Sequence, residues 1–444
     1  MRPLIHMSST DFVEKVLTQL SKKGATQAEV VYSEGSGVSV SCRNGEVDTI
    51  ENNQDRSLIV TVYKDQAKGS ASTAVVDQHS VDLTIEKAMA IASLTEPDEA
   101  AGLAEKALLA TEFKDLQTFY NNEKSADELV QMALTAEQGA VDYAAQQGQA
   151  INVDESNVQL GDGYSIYANS QGFFGEKKGS NVSASVVCIA EQDDVMEREY
   201  WWDATRDIGL FPPPENIGKI AAYRTLERLG SRKVKSTKAP VLFDPSCAKS
   251  LMGHMLSAIS GSALYQESSF LKNDLHQQLF PTWFNLFEDP FIPSGFASRN
   301  FDSNGVQTKQ RHLIKDGVLN GFLLSVYSAR RLGLQTTGNA GGAHNLEVQT
   351  TTTDSALIKT MNRGLYVTSL MGQGVNTVTG DYSRGASGFW VENGEIQFPV
   401  SELTIAGQLK DMYKSLVATG NDVDKRSKTL TGSWLIDEMT IAGD

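Results

Sequence analysis

Gly380-Asp-Tyr-Ser-Arg-Gly-Ala-Ser-Gly-Phe-Trp-Val-Glu-Asn-Gly-Glu395 is the stretch on which the fold class turns. Its second half reads as a hairpin. Phe389-Trp390-Val391 is apolar and β-prone, Asn393-Gly394 is a type I′ turn dipeptide, and Ile396–Val400 supplies the return strand. The first half, Gly380 to Gly388, is too rich in glycine for a plain strand and is expected as a loop, because glycine permits positive φ or close backbone approach. A glycine loop beside a hairpin suits the wall of a cleft.

Around this hairpin the C-terminal half reads as strands and turns. Val241–Asp244 is expected as a strand, Ser246–Gly261 as a helix, and Thr353–Met361 as a second helix. Tyr265–Phe301 lacks periodicity and contains Phe280-Pro281, Asp289-Pro290 and Pro293, so it is expected to be functional or part of an interface. The basic run Ser231–Lys238 reads as a solvated linker and a domain boundary.

Upstream, a helix is expected from Asp11, with Asp11 as its cap and Phe12, Val13, Val16, Leu17 and Leu20 as its apolar face, ending at Gly24. Short strands follow at Ala28–Ser33, Val38–Cys42, Val47–Ile50 and Ser57–Tyr63, with a turn at Arg43–Glu46 and a connection ending at Gly69. Val81 to Ala92 and Ala126–Gln146 read as helices, separated by a connector from Glu96 to Thr118. Further strands are expected at Ala150–Gln159, Tyr164–Ala168, Phe173–Lys177, Val182–Glu191 and Met196–Trp202. A helix from Pro212-Pro213-Pro214 through Leu229 follows. The fold class is α+β: an N-terminal region of helix and antiparallel sheet (1–118), a central sheet region with flanking helices (119–235), and a β-rich C-terminal domain (236–444).

Among 444 residues the formal net charge is −16, a field that repels phosphate and argues against nucleic acid or an anionic membrane as partner. Three scattered cysteines, Cys42, Cys188 and Cys247, fit a reducing compartment rather than a disulfide framework. No signal-peptide core and no run of about 18 apolar residues occurs. A cytoplasmic location is therefore expected.

Six histidines (His6, His79, His254, His276, His312 and His344) form no short metal-binding spacing. Ser387 lies in Gly385-Ala-Ser-Gly-Phe389, where Phe389 breaks the Gly-x-Ser-x-Gly pattern of a nucleophile elbow. Gly338-Asn-Ala-Gly-Gly342 has the glycine content of an anion-binding nest but lacks the Lys-Ser/Thr of a phosphate loop, and reads as a tight turn.

Seven ordered motifs carry a resemblance that spans nearly the whole chain. They are Arg43-x-Gly45-Glu46, Asn169-Ser170-x-Gly172, Gly317-Val-Leu-x-Gly321, Ser328-Ala-Arg-Arg-Leu332, Thr337-Gly-Asn-Ala-Gly-Gly342, Gly380-Asp-Tyr-Ser-Arg-Gly385 and Glu402-x-Thr-Ile-Ala-Gly407. Together they resemble the PmbA/TldE branch of the TldD/PmbA family. The resemblance implies a heterodimeric metalloprotease that degrades unfolded peptides and removes leaders from microcin-type precursors. In that family the TldD subunit carries zinc on a His-Glu-x-x-x-His helix and the TldE type lacks the ligands. Here His254 stands at the first position of that motif, Met255 replaces the glutamate and Ile259 the second histidine.

Three functions are compatible with this resemblance. A zinc-free subunit would pair with a zinc-bearing TldD-type partner, form a homodimer in isolation, and bind peptide in a cleft lined by Asn339, Gly341, Gly342, Tyr382, Ser383 and Arg384. Arg384 would take a carboxylate of substrate or partner. A stand-alone metallopeptidase or homodimeric hydrolase would need a site assembled from distant positions. A non-enzymatic modulator, as the family's link to DNA gyrase implies, would act through protein contacts. No cofactor is expected in this chain itself.

Overall fold

The computed structural model describes residues 9–443, so His6 lies outside the described residues. Phe12, Val13, Val16 and Leu20 recur at helical spacing and form the buried face of α1 (Ser9–Lys22). Asp11 does not cap this helix. It lies inside the first turn, where a carboxylate is favoured by the positive end of the helix dipole.

Six antiparallel strands follow in one sheet, interleaved with three helices. They are β1 (Gln27–Arg43), β2 (Glu46–Lys64), β3 (Ala67–Thr73), α2 (Gln78–Leu94), α3 (Ala126–Gln146), β4 (Asn152–Asn169), β5 (Phe174–Gln192), β6 (Val195–Thr205) and α4 (Pro214–Leu226). The spatial order is β3-β2-β1-β4-β5-β6. The short strands expected on either side of Gly35-Ser36-Gly37, Glu51–Arg56, Gly161–Gly163 and Lys178–Asn181 are joined into four continuous ones. Gly35 pairs with Gly163, which pairs with Gly179, and Gly37 pairs with Gly161. A glycine that weakens an isolated strand is carried when both neighbours complete its hydrogen-bond ladder. Gly69 is not the end of a connection but the third residue of β3, since a Cβ there would meet the Ala88 carbonyl of α2 at 2.1 Å.

Because β1 and β4 pair from Glu29–Asn169 to Cys42–Ser156, residues on both sides of position 118 share this sheet. One face of it carries two helix pairs. α1 and α2 cover Val30, Leu58, Val60 and Ile166, while α3 and α4 cover Val40, Val158, Val182 and Val186.

The C-terminal half begins with β7 (Thr237–Phe243) in a seven-stranded mixed sheet. β7 lies parallel to Gly364–Met371 and antiparallel to Trp434–Ala442. A five-stranded sheet centred on Leu286–Asp289 and Arg311–Lys315 packs beside it. Asp381–Gly388 is strand where a loop was expected, with only Gly380 left in a turn: Asp381–Glu392 pairs with Gly364–Met371 on one side and Glu395–Gln408 on the other. Glycine is needed there for close approach, since a Cβ on Gly388 would stand 1.9 Å from the Tyr366 carbonyl oxygen. The hairpin turn has the expected left-handed residues, Asn393 at φ 56° and Gly394 at φ 73°.

The irregular stretch after Tyr265 joins the two halves. Arg206, on the N-terminal sheet side, donates to the carbonyls of Thr118, Ser180, Ser294, Gly295 and Phe296. Arg330 does the same for Ala100, Gly102 and Leu103. Tyr167, Phe173, Phe301 and Val306 close the apolar part of this junction. Among the described residues no helix is long and apolar enough to cross a membrane.

Candidate functional site around the first C-terminal helix

α5 (Pro245–Ala258) follows β7 directly, with Asp244 between them as its N-cap. The Asp244 carboxylate accepts from the Cys247 amide at 2.8 Å, and Pro245 occupies the first turn. Three faces follow from the helical period. Ala248, Leu251, Met252, Met255 and Ala258 enter the core, and Ile259 caps the helix equally buried. Cys247, Ser250 and His254 share a second face, and Lys249, Gly253, Leu256 and Ser257 border a third.

The second face looks toward the strand Asp381–Glu392. The rings of His254 and Tyr382 meet edge-on with centroids 6.1 Å apart. Burial, together with the nearby Arg384 guanidinium, lowers the His254 pKa below the ordinary imidazole value, so the ring is neutral near pH 7. Tyr382 is buried with its hydroxyl unbonded, and burial raises its pKa. Strand alternation places Ser383 on the opposite, exposed side, away from the cleft expected to hold it. Arg384 lines a cavity of about 260 Å³ together with Cys247, Ser250, Trp201, Arg224 and Arg426.

The third face borders a larger cavity of about 740 Å³, and across it lie Asn339, Gly341 and Gly342. The expected cleft residues are therefore divided between two sides of α5. Asn339 is held structurally: its amide donates to Glu288 at 2.7 Å and its oxygen accepts from Arg311 at 2.9 Å. The loop is a turn and not an anion nest, because the Ala340 amide donates to Asp302 and the Gly342 amide to the Asn339 carbonyl. Its left-handed glycines are Gly338, Gly341 and Gly342.

Trp201, Trp202, Arg224 and Arg426 were not singled out by sequence reasoning. The adjacent indoles were the available signal. Arg426 lies 3.9 Å over the Trp201 ring and Arg224 5.3 Å from it, so both guanidiniums are within cation–π reach of one indole.

Profiles of the PmbA/TldA metallopeptidase match three segments of the chain: domain 1 over residues 28–92, the central domain over 119–229 and the C-terminal domain over 236–443. The chain belongs to the PmbA/TldD family. It is 44% identical to the metalloprotease PmbA of Escherichia coli O157:H7 over 96% of this chain and 94% of that one. A metalloprotease PmbA homolog of Haemophilus influenzae is 40% identical over 96% and 94%. Among solved structures, a candidate modulator of DNA gyrase from Bacteroides thetaiotaomicron superposes with a TM-score of 0.91 at 27% identity, over 98% and 99% of the chains. TldE from Thermococcus kodakarensis shares the fold, with a TM-score of 0.85 at 22% identity over 97% and 100%.

A metallopeptidase family implies a metal, and the residues here do not fit one. Of the three motif positions only His254 offers a donor, while Met255 and Ile259 are both fully buried in the apolar core. Burial and the neighbouring Asp244 carboxylate hold the Cys247 thiol well above its usual pKa, which disfavours the thiolate a metal requires. Among the described residues no three His, Cys, Asp or Glu side chains are grouped to share an ion.

Proposed function

We propose that this chain is the non-catalytic, zinc-free subunit of a heterodimeric TldD/TldE-type metalloprotease of the cytoplasm, one that degrades unfolded peptides and trims peptide precursors of the microcin kind. The observation that carries this reading is the apolar replacement on α5. Met255 and Ile259 are packed into the core, where neither binds a metal nor shuttles a proton. The names of the PmbA relatives support a place in a metalloprotease system. In this reading the zinc and the general base belong to a TldD-type partner. The present chain contributes part of the cleft wall, including the cavity between α5 and the Gly338–Gly342 turn. An extended peptide is held in such a cleft by main-chain hydrogen bonds, which tolerate varied sequences.

The test is to purify the chain alone and together with a TldD-type partner, then measure bound zinc and cleavage of an unfolded peptide. The expected result is no stoichiometric zinc and no cleavage for the chain alone, with chelator-sensitive cleavage by the mixture. Stoichiometric zinc with chelator-sensitive cleavage by the isolated chain overturns the proposal and favours a stand-alone peptidase.

A further inference from the structure

The side of α5 that bears His254 holds buried polar groups without partners. The Arg384 side chain makes no ion pair or hydrogen bond among the described residues, and its Nε is buried and unbonded. Tyr382, 2% exposed, has an unbonded hydroxyl beside it, and His254 Nε2 is also unbonded. Burying such groups without partners costs about 1–3 kcal/mol each, more for a charge, so the arrangement calls for an acceptor.

The other cations of the cavity each have an acidic partner, although Asp424 is shared with Lys249 and Arg224 Nε is unbonded. Arg426 pairs with both oxygens of Asp424 at 2.9 Å, and Arg224 reaches Asp244 at 3.6 Å and the Thr368 carbonyl at 3.1 Å. The one lining carboxylate, Glu199, is paired with Arg228. A net positive charge is thus left at Arg384, next to a wall of tryptophan.

We propose that this cavity is a carboxylate-binding site, in which the Arg384 guanidinium receives the anion and the indole wall of Trp201 and Trp202 receives the organic group attached to it. A planar guanidinium matches a carboxylate in a bidentate fork, and the flanking indoles favour an organic acid over inorganic phosphate. That the ligand is a peptide rests on the function proposed above, whereas recognition of a carboxylate does not.

The experiment titrates the isolated chain with a short acetylated apolar peptide as free acid, with its C-terminal amide, with an amidated peptide carrying one internal glutamate, and with inorganic phosphate. Tryptophan fluorescence reports binding, and proton NMR of the His254 ring reports the site. The free acid is expected to bind at least tenfold more tightly than the apolar amide and to raise the His254 pKa by offsetting the Arg384 charge. Arg384→Met should abolish that preference, and Arg384→Lys should keep part of it, which separates a lost charge from a lost fold. Tight binding of the glutamate peptide would assign the site to acidic side chains, and weak binding to chain termini, both within the proposal. Equal affinity for acid and amide, no binding of any carboxylate, or preference for phosphate overturns it. Cleavage by the mixture with a TldD-type partner, measured separately, decides the subunit reading without reference to this outcome.

Discussion

His344 is the residue whose chemistry is most tightly bound to its surroundings. Its Nε2–H donates to the Gly338 carbonyl at 3.0 Å, Nδ1 has no partner, and its backbone amide donates to the buried Glu288. Burial lowers its pKa to about 4 from an ordinary 6.5, against the opposing pull of Glu288. Between those two values the unfolded chain takes up a proton that the folded chain refuses. Its contribution is therefore fully present above pH 6.5 and is lost as pH falls towards 4, by about 3 kcal/mol in all. His344→Gln should shrink the loss of stability between pH 7 and pH 4.5 in denaturant unfolding, even if it lowers stability at pH 7. An unchanged pH slope would show that His344 does not titrate this way. The sequence showed only a lone histidine outside any metal spacing. Its burial against Glu288, on a strand 56 residues away, was not legible there.

Elements divide into those whose signal is local and those whose signal is not. The helix Ala126–Gln146 matches its expected bounds, and its start is a local motif: Ser125 caps it and Glu128 completes the capping box. The strands of the N-terminal sheet were read as fragments because glycine and polar runs interrupt them, and the pairing that joins them comes from distant chain. The first part of the strand Asp381–Glu392, up to Gly388, was read as a loop for the same reason. Two glycines give an expected contrast. Gly388→Ala drives a Cβ into the Tyr366 carbonyl at 1.9 Å and should cost about 2–3 kcal/mol. Gly253→Ala on α5, with nothing within 4 Å of its Cβ, should add about 0.5–1 kcal/mol through helix propensity. Thermal unfolding of the two variants should move Tm in opposite directions, and a shift of the same sign in both would refute this account of Gly388.

For the whole molecule, cohesion of the two halves depends on arginine side chains donating to carbonyls on the far side of the junction. Arg206 alone reaches three such carbonyls, Ser294, Gly295 and Phe296, while the same planar fork holds Thr118 and Ser180 on its own side, and burial lowers its pKa. Arg206→Lys keeps the charge but has one ammonium in place of that fork, so it should loosen the junction. Limited proteolysis in the connector near Ser231–Lys238 is the readout: cleavage should accelerate several-fold. A rate equal to wild type would mean that the aromatic contacts of Phe173 and Phe301 hold the halves without Arg206.

Several of the motifs that mark the family serve this architecture. Arg43–Glu46 is the β1–β2 turn, with Asn44 and Gly45 left-handed, and Ser328–Leu332 contains the junction residue Arg330. The sequence by itself determined the α+β class, the hairpin at Asn393-Gly394 and the bounds of the helix Ala126–Gln146. All of these depend on residue type at short spacing. Only the tertiary structure decided that the N-terminal and central regions share one sheet, that Asn339 and Arg384 lie on different sides of α5, and that Trp201 and Arg426 stand beside Arg384. Those facts depend on burial and pairing between segments far apart in the chain, and no local pattern of residues encodes which distant strand completes a ladder or which charge is left without its partner.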